Sequence, residues 1–501
     1  VHARGGRLGA AGLGCVAAGL ACFLGTALLG PSVFQPALGG AGGVPPYALH
    51  VRPSAHLVIG LVAVGVVLSA AGLGLCLAAA ARGWRTRPLP LVVAGLAAAM
   101  AFMLMPPVGS SDHLNYASYG RMAATGHDPY TTRAVDLARD PVAGAPEEWR
   151  STPSVYGPIA TGAQALASRI GGESVRLTVF VLSALNALAF ALTALLLHRT
   201  SRSEGRRLRA ALLWTCNPLL LFHLVAGAHN DVLAIAPMVA AVTVFASRAG
   251  DRSAVRAFAA GALTGAGTAI KLPAALVGGG PAWVLLRDAW TGRSRLRALV
   301  GLVALLSGAA AVVAAAYALA GPHALDQVSE ASNMVSFATP WHLLDEVLGR
   351  GAHRDVIKFG SVALGTLLFV LLLRALPKDE EAEHRRVTVA LVLAWLLAAP
   401  YELPWYDGFG WALLALLAWT RVDWILLAHT TALSLAYLPA RAPKRIGMPD
   451  DLSWLFTVVR PTVIPWTLLA VLAALAAVSL RPSGRAPAIA PPPRASAGSR
   501  G

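Results

Sequence analysis

The feature that most constrains this chain is the recurrence of long, nearly uncharged apolar stretches. A membrane helix needs about 20 predominantly apolar residues. Candidate spans lie at 8–30, 56–81, 88–105, 174–198, 210–226, 232–248, 254–270, 273–288, 298–320, 357–375, 386–400, 407–421, 423–440 and 461–480. Hiding this many apolar stretches from water would take a large polar surface, and the chain does not have one. Only 13% of its 501 residues are charged, against roughly a quarter in soluble domains. The expectation is an all-α, polytopic membrane protein with about 14 transmembrane helices. The first stretch is too long for a leader and lacks a small-residue cleavage site, so it reads as a first membrane helix.

The net charge of +16 could suggest nucleic acid, but its distribution excludes that reading. Basic residues fall in short clusters between the apolar stretches, as the positive-inside rule predicts. With the N-terminus inside, 26 of the 41 Lys and Arg residues lie inside, among them Arg82, Arg85 and Arg87, then Arg199 to Arg209. The chain then divides into N-terminal membrane helices (1–105), a large outside loop (106–173) and a membrane core (174–480) with outside loops 321–356 and 441–460. A basic, Pro- and Ala-rich tail (481–501) reads as disordered and cytoplasmic. Cys15, Cys22, Cys76 and Cys216 lie within apolar runs without metal-ligand spacing, so they read as packing residues. The expected location is the cytoplasmic membrane.

Polar residues that could carry chemistry collect on the outside face. Asp112 stands seven residues past Met105, where Ser110 or Ser111 can cap a short amphipathic helix over 112–122 lying along the membrane surface. A carboxylate there is a base, a metal ligand or simply a helix N-terminal charge. His229, Asn230 and Asp231 form a short hairpin between two spans, where ionisable groups are costly; ordinary turn chemistry is the alternative. Lys271 in GTAIKLP is either a phosphate partner or a snorkelling cation. The run Tyr401 to Trp411, with Glu402, Trp405, Tyr406 and Asp407, is either an interfacial aromatic belt or a sugar pocket; Tyr156 adds one more aromatic. No P-loop, dinucleotide fingerprint or HExxH occurs.

Segments 111–130 (SDHLNYASYGRMAATGHDPY), 154–159 (SVYGPI), 217–233 (NPLLLFHLVAGAHNDVL), 269–274 (AIKLPA) and 403–406 (LPWY) occur in that order. With them the chain resembles the actinobacterial polyprenol-phosphomannose-dependent alpha-1,6-mannosyltransferases, which are type C glycosyltransferases, over roughly 105–410. The resemblance implies a polyprenyl-phosphate mannose donor reached from the membrane lipids and a mannan or lipoglycan acceptor outside. It implies Asp112 as catalytic base. Lys271 and Arg121 would bind the donor phosphate. His113, Tyr116, Tyr156, His229, Asn230, Asp231, Glu402, Trp405 and Tyr406 would contact sugar or acceptor. Relatives often carry two adjacent acidic residues in this loop, whereas here the pair is Asp112-His113. A single carboxylate suffices for one-step inversion and disfavours a tightly bound divalent metal, so no cofactor is expected. The alternatives are a flippase or transporter of lipid-linked sugar, or a type C transferase using another sugar or a protein acceptor.

Overall fold

Apolar runs punctuated by serine caps and by proline set the element boundaries. The computed structural model describes residues 2–39, 43–245, 253–292, 294–327, 332–379 and 382–480. The tail expected to be disordered, 481–501, lies outside the described residues. Those described are helices and connecting loops, with one isolated bridge between Ser32 and Gln35.

The first helices are α1 (His2–Leu29), α2 (Ala55–Ala81) and α3 (Pro88–Met103). The large loop then contributes α4 (Asp112–Ala124) and α5 (Pro158–Gly171). After it come α6 (Val175–Thr200), α7 (Glu204–Ala226), α8 (Asp231–Val244), α9 (Ala254–Thr268) and α10 (Gly279–Trp290). The second half holds α11 (Arg295–Ala320), α12 (Pro340–Val347), α13 (Arg354–Ala375), α14 (Glu383–Ala398), α15 (Asp407–Leu414), α16 (Val422–Ala436) and α17 (Ile464–Leu480). Ser54, Ser174, Ser203 and Ser253 each accept a backbone N–H of the first turn of α2, α6, α7 and α9, which fixes where those helices start.

Each of the fourteen apolar stretches contains helix among the described residues, although 407–421 is helical only as far as Leu414. Among the described residues, seven helices are long and apolar enough to cross a membrane unaided, and α3, α8 and α16 are shorter apolar helices. Helix α7 departs most from regular form. Asn217 caps the N–H groups of Leu219 and Leu220, and Pro218 has no N–H to give, so the helix restarts in mid-run with widened turns on either side. Such a break in backbone pairing is tolerated only away from lipid. The apolar window of α7 is accordingly 100% buried, whereas those of α11 and α13 are 22% buried and present Val303, Leu306, Phe359 and Val362 outward.

Helix α4 forms where the sequence places it but does not lie along a surface. Its residues from His113 to Gly120 are all buried, because Leu114, Tyr116 and Ala117 pack with Ala167 of α5 and with Val179 and Leu182 of α6. The loop of 106–173 is thus a folded cap whose core is continuous with the helical bundle.

A buried ion pair ties the opposite end of the bundle. Arg209 of α7 donates to both carboxylate oxygens of Asp423 at the start of α16, at 2.5 and 2.7 Å, and to the carbonyl of Leu414 at 3.0 Å. Both side chains are shielded from solvent. Removing one partner leaves an uncompensated buried charge. Asp423→Ala is expected to cost about 3–5 kcal/mol, read as a lower unfolding midpoint in detergent. Arg209→Met combined with Asp423→Leu is expected to recover most of it.

Candidate active site

Asp112, Asn115, Tyr116 and Tyr119 fall at i, i+3, i+4 and i+7 and so share one face of α4. That face lines a cavity of about 700 Å³. Trp149, Thr152, Val155 and Tyr156 of the same loop add to its polar, aromatic wall, and Lys271, Tyr401 and Tyr406 close it from the core. The remaining wall is mostly apolar and comes largely from α13 and α14, with Val362, Gly365, Phe369, Leu391 and Ala394 beside the hydroxyls of Ser361 and Thr366. Among the described residues lining the cavity, Asp112 is the one carboxylate and Lys271 the one cation.

Asp112 is held from behind by a chain of hydrogen bonds. Its N–H donates to Ser110 Oγ at 3.2 Å. Ser110 Oγ lies 2.9 Å from His229 Nε2, and His229 Nδ1 lies 2.5 Å from the carbonyl of His223. A carbonyl can only accept, so Nδ1 carries the hydrogen and Nε2 of the neutral ring is an acceptor that takes the Ser110 proton. The same Nε2 stands 3.7 Å from Asp112 Oδ2. The imidazole is clamped flat against Trp405, with ring centres 3.6 Å apart. Gly227 permits this approach, since a Cβ there would sit 2.6 Å from His229 Nδ1. Burial pushes the Asp112 carboxyl up to about 7; Glu148 and Asp231 add to the rise and Lys271 opposes it.

Lys271 follows the last turn of α9, where Pro273 prevents a regular continuation. Its ammonium pairs with Asp231 and sits 3.6 Å from the centre of the Tyr406 ring. Asp231 Oδ2 has no hydrogen-bond partner among the described residues, so the pair leaves acceptor capacity unused. The SVYGP turn seats this segment: the N–H groups of Gly157 and Ile159 donate to the carbonyls of Ile270 and Ala269. Tyr156 then projects its hydroxyl to that of Tyr116 at 3.2 Å, with the rings edge to face.

The outer wall is clasped by a distant part of the chain. Arg441 donates to both oxygens of Glu147 and to the carbonyls of Ser32 and Gln35. Glu148 accepts from the Ala442 N–H at 2.5 Å and from the Ser111 hydroxyl at 3.2 Å.

Of the residues singled out in the sequence, Asp112, Tyr116, Tyr156, Lys271 and Tyr406 line the cavity. His229, Asn230 and Asp231 do not: they are buried behind it, where the first stands close to Asp112 and the last pairs with Lys271. Trp405 is buried against His229. Glu402 is also buried, in a knot with Asp407 and His429. Ligand atoms of these three lie within 4.8 Å of one another, the one such group among the described residues spaced to hold a metal ion. Asp407, however, already accepts from His429 Nδ1 and from Thr430. Arg121 is committed elsewhere, to Asp140 at 2.9 Å and the carbonyl of Gly172 at 3.3 Å, and does not line the cavity. His113 points into the protein interior with neither ring nitrogen hydrogen-bonded among the described residues. Sequence reasoning overlooked Asn115, Tyr119, Glu148 and Trp149. The helical spacing from Asp112 is the signal that could have found the first two.

Residues 12–287 match the family described as alpha-(1->6)-mannopyranosyltransferase, N-terminal domain. A probable alpha-(1->6)-mannopyranosyltransferase of Mycolicibacterium smegmatis is 34% identical over 30% of this chain and 27% of its own length. Alpha-(1->6)-mannopyranosyltransferase A of Corynebacterium glutamicum is 28% identical over 26% of each chain. An alpha-(1->6)-mannopyranosyltransferase of Mycobacterium tuberculosis is 30% identical over 28% of this chain and 25% of its own length. The chain thus aligns with about a quarter of the length of these curated relatives. No solved structure matches it.

The contact of the SVYGP turn with the lysine segment leaves no space for a side chain. A Cβ at Gly157 would fall 2.2 Å from the Ala269 carbonyl oxygen, whereas one at Gly162 meets open space. Gly157→Ala is expected to lower stability by about 1–3 kcal/mol, read as the unfolding midpoint in detergent. Gly162→Ala, in the interior of α5, is expected to leave the midpoint unchanged or raise it.

Proposed function

The chain belongs to the alpha-(1->6)-mannopyranosyltransferase family, and from that premise we propose that its cavity transfers mannose from polyprenyl-phosphate mannose to a mannan or lipoglycan acceptor. The observation that carries the reading is the pairing of one carboxylate with one cation in a cavity whose walls are polar and aromatic on one side and mostly apolar on the other. A sugar needs the first wall and an isoprenoid chain the second. Val362 of the apolar wall is exposed on the outside of the bundle, where lipid would meet it. The bias of Lys and Arg toward one side supports a multi-pass protein of the cytoplasmic membrane with this cavity facing outward.

In the proposed step Asp112 removes the proton from an acceptor hydroxyl. The freed oxygen bonds to C1 of the mannose from the face opposite the phosphate. The C1–O bond breaks, its electron pair passes to the phosphate oxygen, and the anomeric configuration inverts. The polyprenyl phosphate leaves as a stable phosphomonoester anion and needs little acid help, so Lys271 has only to balance the charge that accumulates there. His229 Nε2, unprotonated and 3.7 Å away, keeps Asp112 oriented through Ser110. Among the described residues the lining holds no second carboxylate, and both oxygens of Glu148 are engaged by Ser111 and Ala442, so we propose that the step runs without a bound metal ion.

Asp112→Asn is expected to lower transfer of labelled mannose from polyprenyl-phosphate mannose in membranes by about 10²–10⁴-fold. Wild-type turnover in a folded variant would overturn the assignment. A base raised to about 7 is protonated, and inactive, at lower pH. The wild-type kcat/KM should therefore fall about tenfold per pH unit below 7 and level off above it. Saturating EDTA is expected to leave the rate unchanged.

A further inference from the structure

Trp149 combines three properties that ordinary packing does not require together. Its backbone lies at φ 56°, a left-handed conformation that is an outlier for a bulky side chain. It is held there from both sides: Glu147 by Arg441 and Glu148 by Ser111 and Ala442 before it, and after it by the Thr152 N–H donating to its own carbonyl at 3.0 Å. Yet the residue so firmly placed is 46% exposed while lining the cavity. A core tryptophan would be covered. A tryptophan of the membrane interface would need no left-handed backbone; the exposed Trp283, Trp290 and Trp466 sit on helices α10 and α17.

We propose that Trp149 is the stacking platform for the acceptor glycan, its indole face receiving the C–H face of the sugar that offers its hydroxyl to Asp112; this rests on the transferase reading above. An indole fixed in place and half bare matches such a face at little cost in side-chain entropy. Polar groups that a hexose also needs line the same cavity, with Asn115 one turn along α4 from Asp112 and Thr152 three residues after the indole. The donor end of the cavity is made by other elements, Lys271 and the apolar faces of α13 and α14. Trp149 therefore serves the acceptor and not the carrier lipid.

The test uses the full chain with a short alkyl alpha-1,6-mannoside as acceptor. Trp149→Ala is expected to raise the acceptor KM about tenfold with kcat and donor KM little changed, and Trp149→Phe to recover part of the loss. Binding of the same mannoside to purified Asp112→Asn protein, with and without Trp149→Ala, gives a readout free of turnover and should weaken by the same factor. If wild type transfers mannose and Trp149→Ala keeps the acceptor KM and mannoside affinity of its parent, the platform assignment is overturned and the transferase reading stands. If the wild-type protein neither transfers mannose nor binds the mannoside, both are overturned.

Discussion

The ion pair between Lys271 and Asp231 is the contact on which the site's construction depends. Each partner stands at a break between helices, Asp231 at the start of α8 and Lys271 just past the end of α9. Neither charge is tolerable alone where both side chains are so nearly buried. Paired, they lock two helix ends together and leave the ammonium against the Tyr406 ring at the cavity wall. Other features are registered to this point. The Gly157 turn docks on the backbone just before Lys271, and the hairpin that carries Asp231 also carries His229, which faces Asp112. Carboxylate and cation thus reach one cavity from segments far apart in sequence because both lean on a single hairpin.

The protein supports this irregular backbone by surrounding it. The restart of α7 at Asn217-Pro218 and the left-handed Ala228 leave a path that lipid could not solvate. Both lie in a wholly buried stretch, while the peripheral spans α11 and α13 are regular helices. Regular helices such as α11 and α13 face outward, and the restart of α7 sits inside, beside the residues that the family resemblance singles out.

The sequence displayed the charges and concealed their directions. Asp112 and Lys271 were legible because an ionisable group at the end of an apolar run has few bland explanations. The run from Tyr401 to Trp411 offered aromatics and carboxylates together, but hydropathy carries no information on facing. In the fold Tyr401 and Tyr406 reach the cavity while Glu402 and Asp407 turn inward to His429. Arg121 looked available because its partner Asp140 lies 19 residues away on an irregular loop. His113, next to the base in sequence, is about 100° around the helix from it and so faces the interior. The short helix at 112–122 was visible from its cap and its pattern. Its burial was not, since that depends on α5 and α6 arriving to cover it.

The clasp between Arg441 and Glu147 spans 294 residues of sequence. A chain emerging from the ribosome is made in order, and the loop bearing Asp112 is complete well before residue 441 is added. Until residue 441 follows, that loop lacks the partner that fixes its outer wall, and Glu148 lacks the Ala442 N–H that shares it with Ser111. The cavity therefore becomes whole only after α16 has been made. A chain interrupted between Lys271 and Arg441 would carry the carboxylate and the ammonium beside a wall that nothing yet fastens.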